Sequence, residues 1–298
     1  VTKRKLNRLN FFCNYNNWII KMSTIYFVGT PIGNLSDITL RAIEVLTNVD
    51  LILAEDTRTT KKLLNKYEIN TKLLSYHEHN KTKRLSEILE ALDTGDIALV
   101  SDAGTPSIHD PGTLLANEIL ETDHSIVPIP GPSSITTALS VSGLDSEHFT
   151  FWGFLPHQKR KREKIISMIS SIENTSVFFE TPHRLKSTLD LLQQLLNPQR
   201  KIVVCRELTK IYEEIVKTTI SEVKSKFLNP KGEFTIVIEG KSDFSENKLS
   251  EEKIFSEIYE DLKILKKAGS GPKEGIQWIM KHYPHISKKE IYDIWITI

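Results

Sequence analysis

Short apolar strands that run directly into loops of small, turn-forming or charged residues constrain this chain more than any other feature. The clearest case is VSDAGTPSIHDPG, Val100 to Gly112. The apolar run Ile97 to Val100 has the length and character of a buried strand. It ends in Ser101-Asp102, then Ala103-Gly104-Thr105-Pro106, then Asp110-Pro111-Gly112. Glycine and proline at these positions shape a loop with exposed backbone and few bulky side chains. Open α/β sheets bind ligands in loops at the carboxyl ends of their parallel strands. One such loop is equally an ordinary β-to-α connection. Its recurrence after other strands favours a binding rim.

The pattern repeats through the first half. Strands are expected at Thr24–Val28, Val49–Ala54, Lys72–Tyr76, Ile97–Val100 and Ser125–Ile129, from β-branched, aromatic and apolar content. Between them the period is helical: a helix carrying Leu40, Ile43 and Leu46 with Ser36 or Asp37 as cap, then Thr59–Tyr67, Thr82–Leu92, Thr113–Glu121 and Ile135–Val141. Regular alternation implies a mainly parallel sheet. In the second half strands are expected at Phe149–Phe154, Ser176–Phe179 and Lys201–Cys205, and an antiparallel one at Glu233–Glu239. Helices are expected at Lys164–Ile172 and Leu185–Leu196, with Ile211–Lys217 and Glu222–Leu228 flanking a turn. A polar linker, Lys241–Ser250, leads to three short helices, Glu251–Ala268, Pro272–His282 and Ser287–Thr297, of helix-turn-helix type. The expected organisation is α/β: one domain over 23–144, a second over 145–241 and a small helical module over 251–298.

Residues 1–22 stand apart. They carry Lys3, Arg4, Lys5, Arg8 and Lys21 and no acidic residue, and Met22-Ser23 directly precedes a strong strand. The reading preferred is a non-native or disordered extension, with translation starting at Met22; a basic arm and a targeting peptide are the alternatives. Lys and Arg total 39 against 38 Asp and Glu, so a wholly electrostatic nucleic-acid binder is excluded and RNA contact must come from local patches. Cys13 and Cys205 form no metal-type spacing and no disulfide framework, which suits a reducing, cytoplasmic setting. No apolar run reaches the ~20 residues that span a bilayer.

The loops narrow the chemistry. GTPIGN, Gly29 to Asn34, is not a Walker loop, because no Lys-Ser/Thr follows its second glycine and Pro31 lacks an amide donor. It is not a G-x-G-x-x-G dinucleotide loop either. Asp102 can accept from a ligand's ammonium or ribose hydroxyls, or cap its own turn. Pro130-Gly131-Pro132-Ser133-Ser134 opens a helix with two hydroxyls among free amides. Other strand ends carry Glu55, Asp56 and Arg58; Glu180, His183 and Arg184; and Arg206, Glu207 and Lys210. Singly these read as surface pairs or caps; together they put acids and bases on one rim. His77-Glu78-His79 lacks a third ligand nearby, so no metal site is expected. The run Lys159 to Lys164, with Lys159 and Arg160 at its head, is either a solvated helix start or, beside Phe151, Trp152 and Phe154, an RNA-facing lip.

Eight motifs occur in order: GTPIGNL, AEDTR, SDAGTPSIHDPG, PIPGPSS, GFLP, ETPHRL, RELTKIYEE and KGEFTIVIEG. Together they resemble the tetrapyrrole-methylase-fold superfamily, and within it the branch that methylates small-subunit ribosomal RNA. The resemblance covers Ser23 to about Gly240 and, more weakly, the helical tail. It implies two α/β domains with S-adenosylmethionine in the cleft between them, a homodimer, no metal, and 2′-O-methylation of a cytidine in the decoding region of 16S ribosomal RNA. By motif it places Pro31, Asp102, Ala103, Gly104, Ile108, Ser133 and Ser134 on the donor, and Phe179, Glu180, Leu208, Gly232 and Glu233 from the second domain. On the acceptor side Asp56, Glu207 and Lys210 are the candidates to position the hydroxyl and help remove its proton. Glu55, Arg58, His183, Arg184, Arg206, Lys159 and Arg160 are the candidate RNA contacts. His109, Ser134 and Thr181 depart from the family's usual residues by small changes. The same fold acting on a tetrapyrrole, or as a non-catalytic ribosome binder, is the alternative.

Overall fold

Five apolar stretches assemble into a first sheet whose strand ends are level. The computed structural model describes residues 23–108, 112–241, 246–283 and 286–298. The readings made of residues 1–22 and of His109 lie outside the described residues. Strands β1 (Thr24–Val28), β2 (Leu51–Ala54), β3 (Lys72–Ser75), β4 (Ile97–Val100) and β5 (Ser125–Ile129) pair in the order β3-β2-β4-β1-β5. All four pairings are parallel. β2 and β4 are buried at every residue, as strands covered on both faces must be. Val28 pairs with Val100 and with Ile129, and Ala54 pairs with Val100. The loops that follow these four strands therefore leave the sheet at one edge.

The connecting helices are α1 (Leu40–Asn48), α2 (Thr57–Lys66), α3 (Lys81–Leu92), α4 (Gly112–Leu120) and α5 (Ser134–Ser142). Two expectations for α1 need correction. Its cap is Thr39, whose hydroxyl accepts from Ala42 N, whereas Ser36 and Asp37 lie in a preceding 3-10 turn. Leu40 is 86% exposed, and the buried face is carried by Ala42 and Leu46. Helix α2 begins at Thr57 because the Asp56 side chain caps it.

The second sheet contains β6 (Phe149–Phe154), β7 (Thr175–Glu180), β8 (Lys201–Arg206), β9 (Glu214–Thr219) and β10 (Phe234–Ile238), in the order β6-β7-β10-β8-β9. Only β6 and β7 pair in parallel. β10 is antiparallel, as its sequence suggests, yet all five of its residues are buried because it lies between β7 and β8. β9 occupies the stretch expected to flank a turn; it is an edge strand, with an exposed polar pattern that carries little periodic signal. Phe234 pairs with Glu180 on one side and Arg206 on the other. The ends of β7 and β8 thus meet the start of β10 at one rim.

Three helices pack with this sheet: α6 (Lys159–Ser171), α7 (Pro182–Leu195) and the single-turn α8 (Val223–Lys226). α6 starts five residues before the expected Lys164, so the basic run is helical and Arg162 within it is buried. α7 starts at Pro182, a residue pre-set for the first helical position. Arg200, 2% exposed, donates to the carbonyls of Ile169, Ser170, Ile172 and Glu239. Burial draws its pKa down to about 10, which still leaves a cation at the carboxyl end of α6, where the helix dipole favours one.

Described residues through Gly240 form one compact unit and Lys241–Ile298 another. The second consists of α9 (Glu246–Lys267), α10 (Pro272–His282) and α11 (Lys288–Thr297). α9 begins inside the stretch expected to be a linker, whose Glu, Lys and Leu residues are good helix formers. Ser287 and Glu290 form a capping box for α11. Ile258, Leu262, Ile276, Ile279, Ile291 and Trp295 make its core.

Two loops of the first sheet pack backbone against backbone. A Cβ on Gly29 would lie 2.8 Å from both Cα and N of Gly131. Gly29→Ala should lower stability by about 2 kcal/mol, an ordinary penalty for overpacking backbone on backbone. Urea unfolding of the variant checks this, and an unchanged midpoint would refute it.

Candidate active site

Four loops from the first sheet are tied to one another before any ligand is considered. Thr30 N donates to Gly104 O at 2.9 Å and Gly104 N donates to Thr30 O at 3.1 Å. The Thr30 hydroxyl donates to Ser101 O at 3.1 Å. Gly104 sits at φ 83°, in the left-handed region that suits glycine. Asp102 Oδ1 accepts from the backbone N–H of Asp56 at 2.9 Å, which joins the loops after β4 and β2. Asp102 therefore caps a neighbouring loop. Burial first, and then the Asp56 carboxylate, push its pKa up, against the pull of the Asp56 N–H and Arg58.

The second sheet closes the opposite side. Asn34 N donates to the Thr209 hydroxyl at 3.1 Å. Where Gly33 has no side chain, Lys210 passes: a Cβ there would lie 2.4 Å from Lys210 Cγ. Glu207 and Thr209 adopt φ 50° and 67°. For a β-branched threonine that region is strained. The conformation is held by Glu213, whose carboxylate accepts from Thr209 N at 2.6 Å.

Between the two rims lies a cavity of about 380 Å³, within the range of small-molecule sites. Of the residues expected to hold the donor, Asp102, Ala103, Gly104, Ile108, Ser133, Ser134, Phe179, Glu180, Leu208 and Glu233 line it. Pro31 and Gly232 do not; their neighbours Ile32 and Glu233 do. Glu55 also lines it. Sequence reasoning missed Ile32, Ile135, Phe154, Cys205 and Thr235 as lining residues. Cys205 and Thr235 are paired across β8 and β10, and only the tertiary position of that pair exposes one face to a cavity. Burial, and then Glu213, push the Cys205 thiol up to about 11.

Most of the remaining charged candidates are paired elsewhere. Asp56 caps α2 through Arg58 N at 2.8 Å and grips the Arg58 guanidinium at 2.7 Å, which lowers its pKa to about 2. Glu207 accepts from Glu233 N at 2.8 Å and from Lys210 at 3.0 Å. Burial opposes its ionisation, but these partners hold it below the usual carboxylate range. Lys210 also meets Glu233 at 2.8 Å; against the effect of burial, its two carboxylates raise its pKa. None of Asp56, Glu207 and Lys210 lines the cavity. Glu180 is 1% exposed and fully engaged, by Thr181 N at 2.8 Å, the Thr188 hydroxyl at 2.6 Å and Arg184 Nε at 3.3 Å. Arg206 holds Lys231 O at 2.7 Å and Glu214 at 3.2 Å. Lys159 and Arg160 are exposed on α6 and His183 on α7, away from the cavity lining. Among the described residues no group of three or more His, Cys, Asp or Glu could hold a metal.

The cavity suits a donor that is cationic at one end and flat and polarisable at the other. Ile32, Ile135, Phe154, Phe179 and Leu208 supply apolar walls, and Glu55 and Asp102 supply acidic groups. Ser133 is the N-cap residue of α5, but its hydroxyl makes no cap bond and is left for a ligand.

Residues 24–224 match the family model of tetrapyrrole (corrin/porphyrin) methylases. The chain belongs to that family, and it is an S-adenosylmethionine-dependent methyltransferase. Its relatives include the Halalkalibacterium halodurans protein named ribosomal RNA small subunit methyltransferase I, 47% identical over 223 residues, which are 74% of this chain and 77% of that one. The Thermotoga maritima protein of the same name is 45% identical over 223 residues, 74% of this chain and 100% of that one. Among solved structures, uroporphyrin-III-C-methyltransferase from Thermus thermophilus superposes with a TM-score of 0.53 at 16% identity, over 72% of this chain and 94% of that one. At that identity the likeness concerns the fold alone.

Gly104→Val forces a β-branched residue to φ 83° at the cavity wall and should weaken S-adenosylmethionine binding by about 10-fold or more. Calorimetric titration checks this, with circular dichroism to show that the chain is folded. The Asp56 carboxyl should titrate near its pKa of about 2 by NMR. Because that pKa is depressed, its stabilisation is complete above the ordinary value of 3.8 and is lost as pH falls through about 2.

Proposed function

We propose that this chain transfers a methyl group from S-adenosylmethionine to the ribose 2′ oxygen of a cytidine in the decoding region of 16S ribosomal RNA, acting on the small subunit as a cytoplasmic homodimer. The observation that carries the reading is the run of eight ordered motifs whose loops converge on one cavity, joined to 41–47% identity with relatives named for methylation of small-subunit ribosomal RNA. Among the described residues no helix is long and apolar enough to cross a membrane.

The donor, when bound, supplies an electrophilic methyl on a sulfonium sulfur. The new bond joins that carbon to the 2′ oxygen, the carbon–sulfur bond breaks, and the hydroxyl proton must leave. A ribose hydroxyl is a weak acid, so holding it in line matters as much as removing its proton. In this reading Glu207 and Lys210 fix the loop that presents Leu208 to the cavity, and Asp56 fixes Arg58 and the start of α2. Their charges are locked by their partners, which suits positioning: Lys210 stays an ammonium and Asp56 is a weak proton acceptor. Asp102 and Glu55, which line the cavity, are nearer the chemistry. Arg58, 89% exposed in its side chain, and Lys159 and Arg160 then serve the RNA surface.

Labelled methyl transfer to isolated small subunits, free ribosomal RNA and porphyrinogens tests the reading. Label on the ribose of a decoding-region cytidine supports it. Label on a porphyrinogen alone assigns the chain to small-molecule chemistry, and donor binding without any transfer assigns it to the non-catalytic class. Asp56→Asn, Glu207→Gln and Lys210→Met should each lower turnover about 10-fold or more, by loss of orientation. Wild-type turnover in all three would remove them from the acceptor side.

A further inference from the structure

A second hollow adjoins the cavity. It is an open groove of about 550 Å³ lined by Pro182, His183, Lys186, Asn229, Pro230 and Lys231. Two points in the chain separate it from the donor cavity. Pro182 lines both hollows. Lys231 lines the groove and Glu233 the cavity, with Gly232 between them at φ 88°. A Cβ on Gly232 would lie 2.5 Å from Glu207 Cγ, so this divide is thin and cannot thicken. Arg206 Nε donates to Lys231 O at 2.7 Å and fixes the backbone there.

The charge of the groove differs from that of the rest of the rim. Arg58, Arg184, Arg206 and Lys210 are all ion-paired. Among the described residues no acidic one lines the groove. Among the described residues no carboxylate pairs with His183, Lys186 or Lys231 within 4.0 Å. The lining holds two free ammonium groups, an imidazole and the Asn229 amide, and no large apolar side chain. These groups suit phosphate oxygens: ammonium and amide donors contact them through charge-assisted bonds.

We propose that this groove seats a phosphodiester of the RNA acceptor next to the nucleotide whose ribose faces the cavity, with Lys186 and Lys231 as its cations. The proposal rests on RNA being the acceptor. Contacts to phosphate set register without reading sequence, so the groove serves to bring the target ribose to the cavity mouth.

The test uses the full-length enzyme, labelled S-adenosylmethionine and small subunits across a salt series. Lys186→Gln, Lys231→Gln and the double variant are compared with Lys83→Gln on α3 as a charge-matched control. Each single change should raise the acceptor KM about 5-fold, and the double change about 20-fold. The slope of log KM against log salt should fall by about 0.7 for each phosphate no longer neutralised. Turnover at saturating acceptor and calorimetric donor affinity should stay within about twofold of wild type, which a general loss of structure would not allow. An unchanged KM and salt slope in the double variant, or an equal rise in Lys83→Gln, overturns the groove while leaving the RNA reading intact. Wild-type enzyme that labels no RNA overturns the RNA reading and the groove with it.

Discussion

The architecture of the site depends on backbone meeting backbone. Thr30 and Gly104 exchange two peptide hydrogen bonds across the loops after β1 and β4. Beside them Gly29 and Gly131 approach so closely that neither can carry a side chain. These contacts tie the loops after β1, β4 and β5 to one another. Level strand ends make them possible, because Val28, Val100 and Ile129 sit in register. Backbone tied down in this way has less conformational entropy left to lose when a ligand binds.

Charge is handled differently on the two rims. On the first, Asp102 secures the next loop through a single N–H and remains at the cavity. On the second, Glu207, Lys210 and Glu233 form a chain of ion pairs that holds a loop with two residues at positive φ. Strain of about 1–3 kcal/mol per such residue persists only where surrounding bonds over-determine the conformation. Here the Asn34 and Glu213 contacts to Thr209 do so. The loop is thereby anchored both to its own sheet and to the opposite rim.

Much of this was legible from residues alone. Strands β1, β4, β5 and β6 fall where β-branched and apolar runs put them, and the all-parallel first sheet follows from the alternation. Loops rich in Gly, Pro and Ser announced themselves by composition, and they supply one side of the cavity wall. Other features were invisible for physical reasons. β9 is a polar edge strand with no apolar periodicity. Arg162 sits in a run of basic residues, and nothing in that run marks which one turns inward. The charged residues at strand ends looked alike in sequence, and only the fold separates Glu55, at the cavity, from Asp56, consumed by Arg58.

Cys205 gives the cavity an unexpected chemical property. A thiol in the wall of a pocket for a sulfonium alkylating agent is a target for self-modification, because a thiolate is a far better nucleophile than a ribose hydroxyl. Its burial within the second sheet, as a residue of β8, keeps the proton on sulfur well above neutral pH. The apolar packing that shapes the pocket thus also lowers the thiolate fraction at this position.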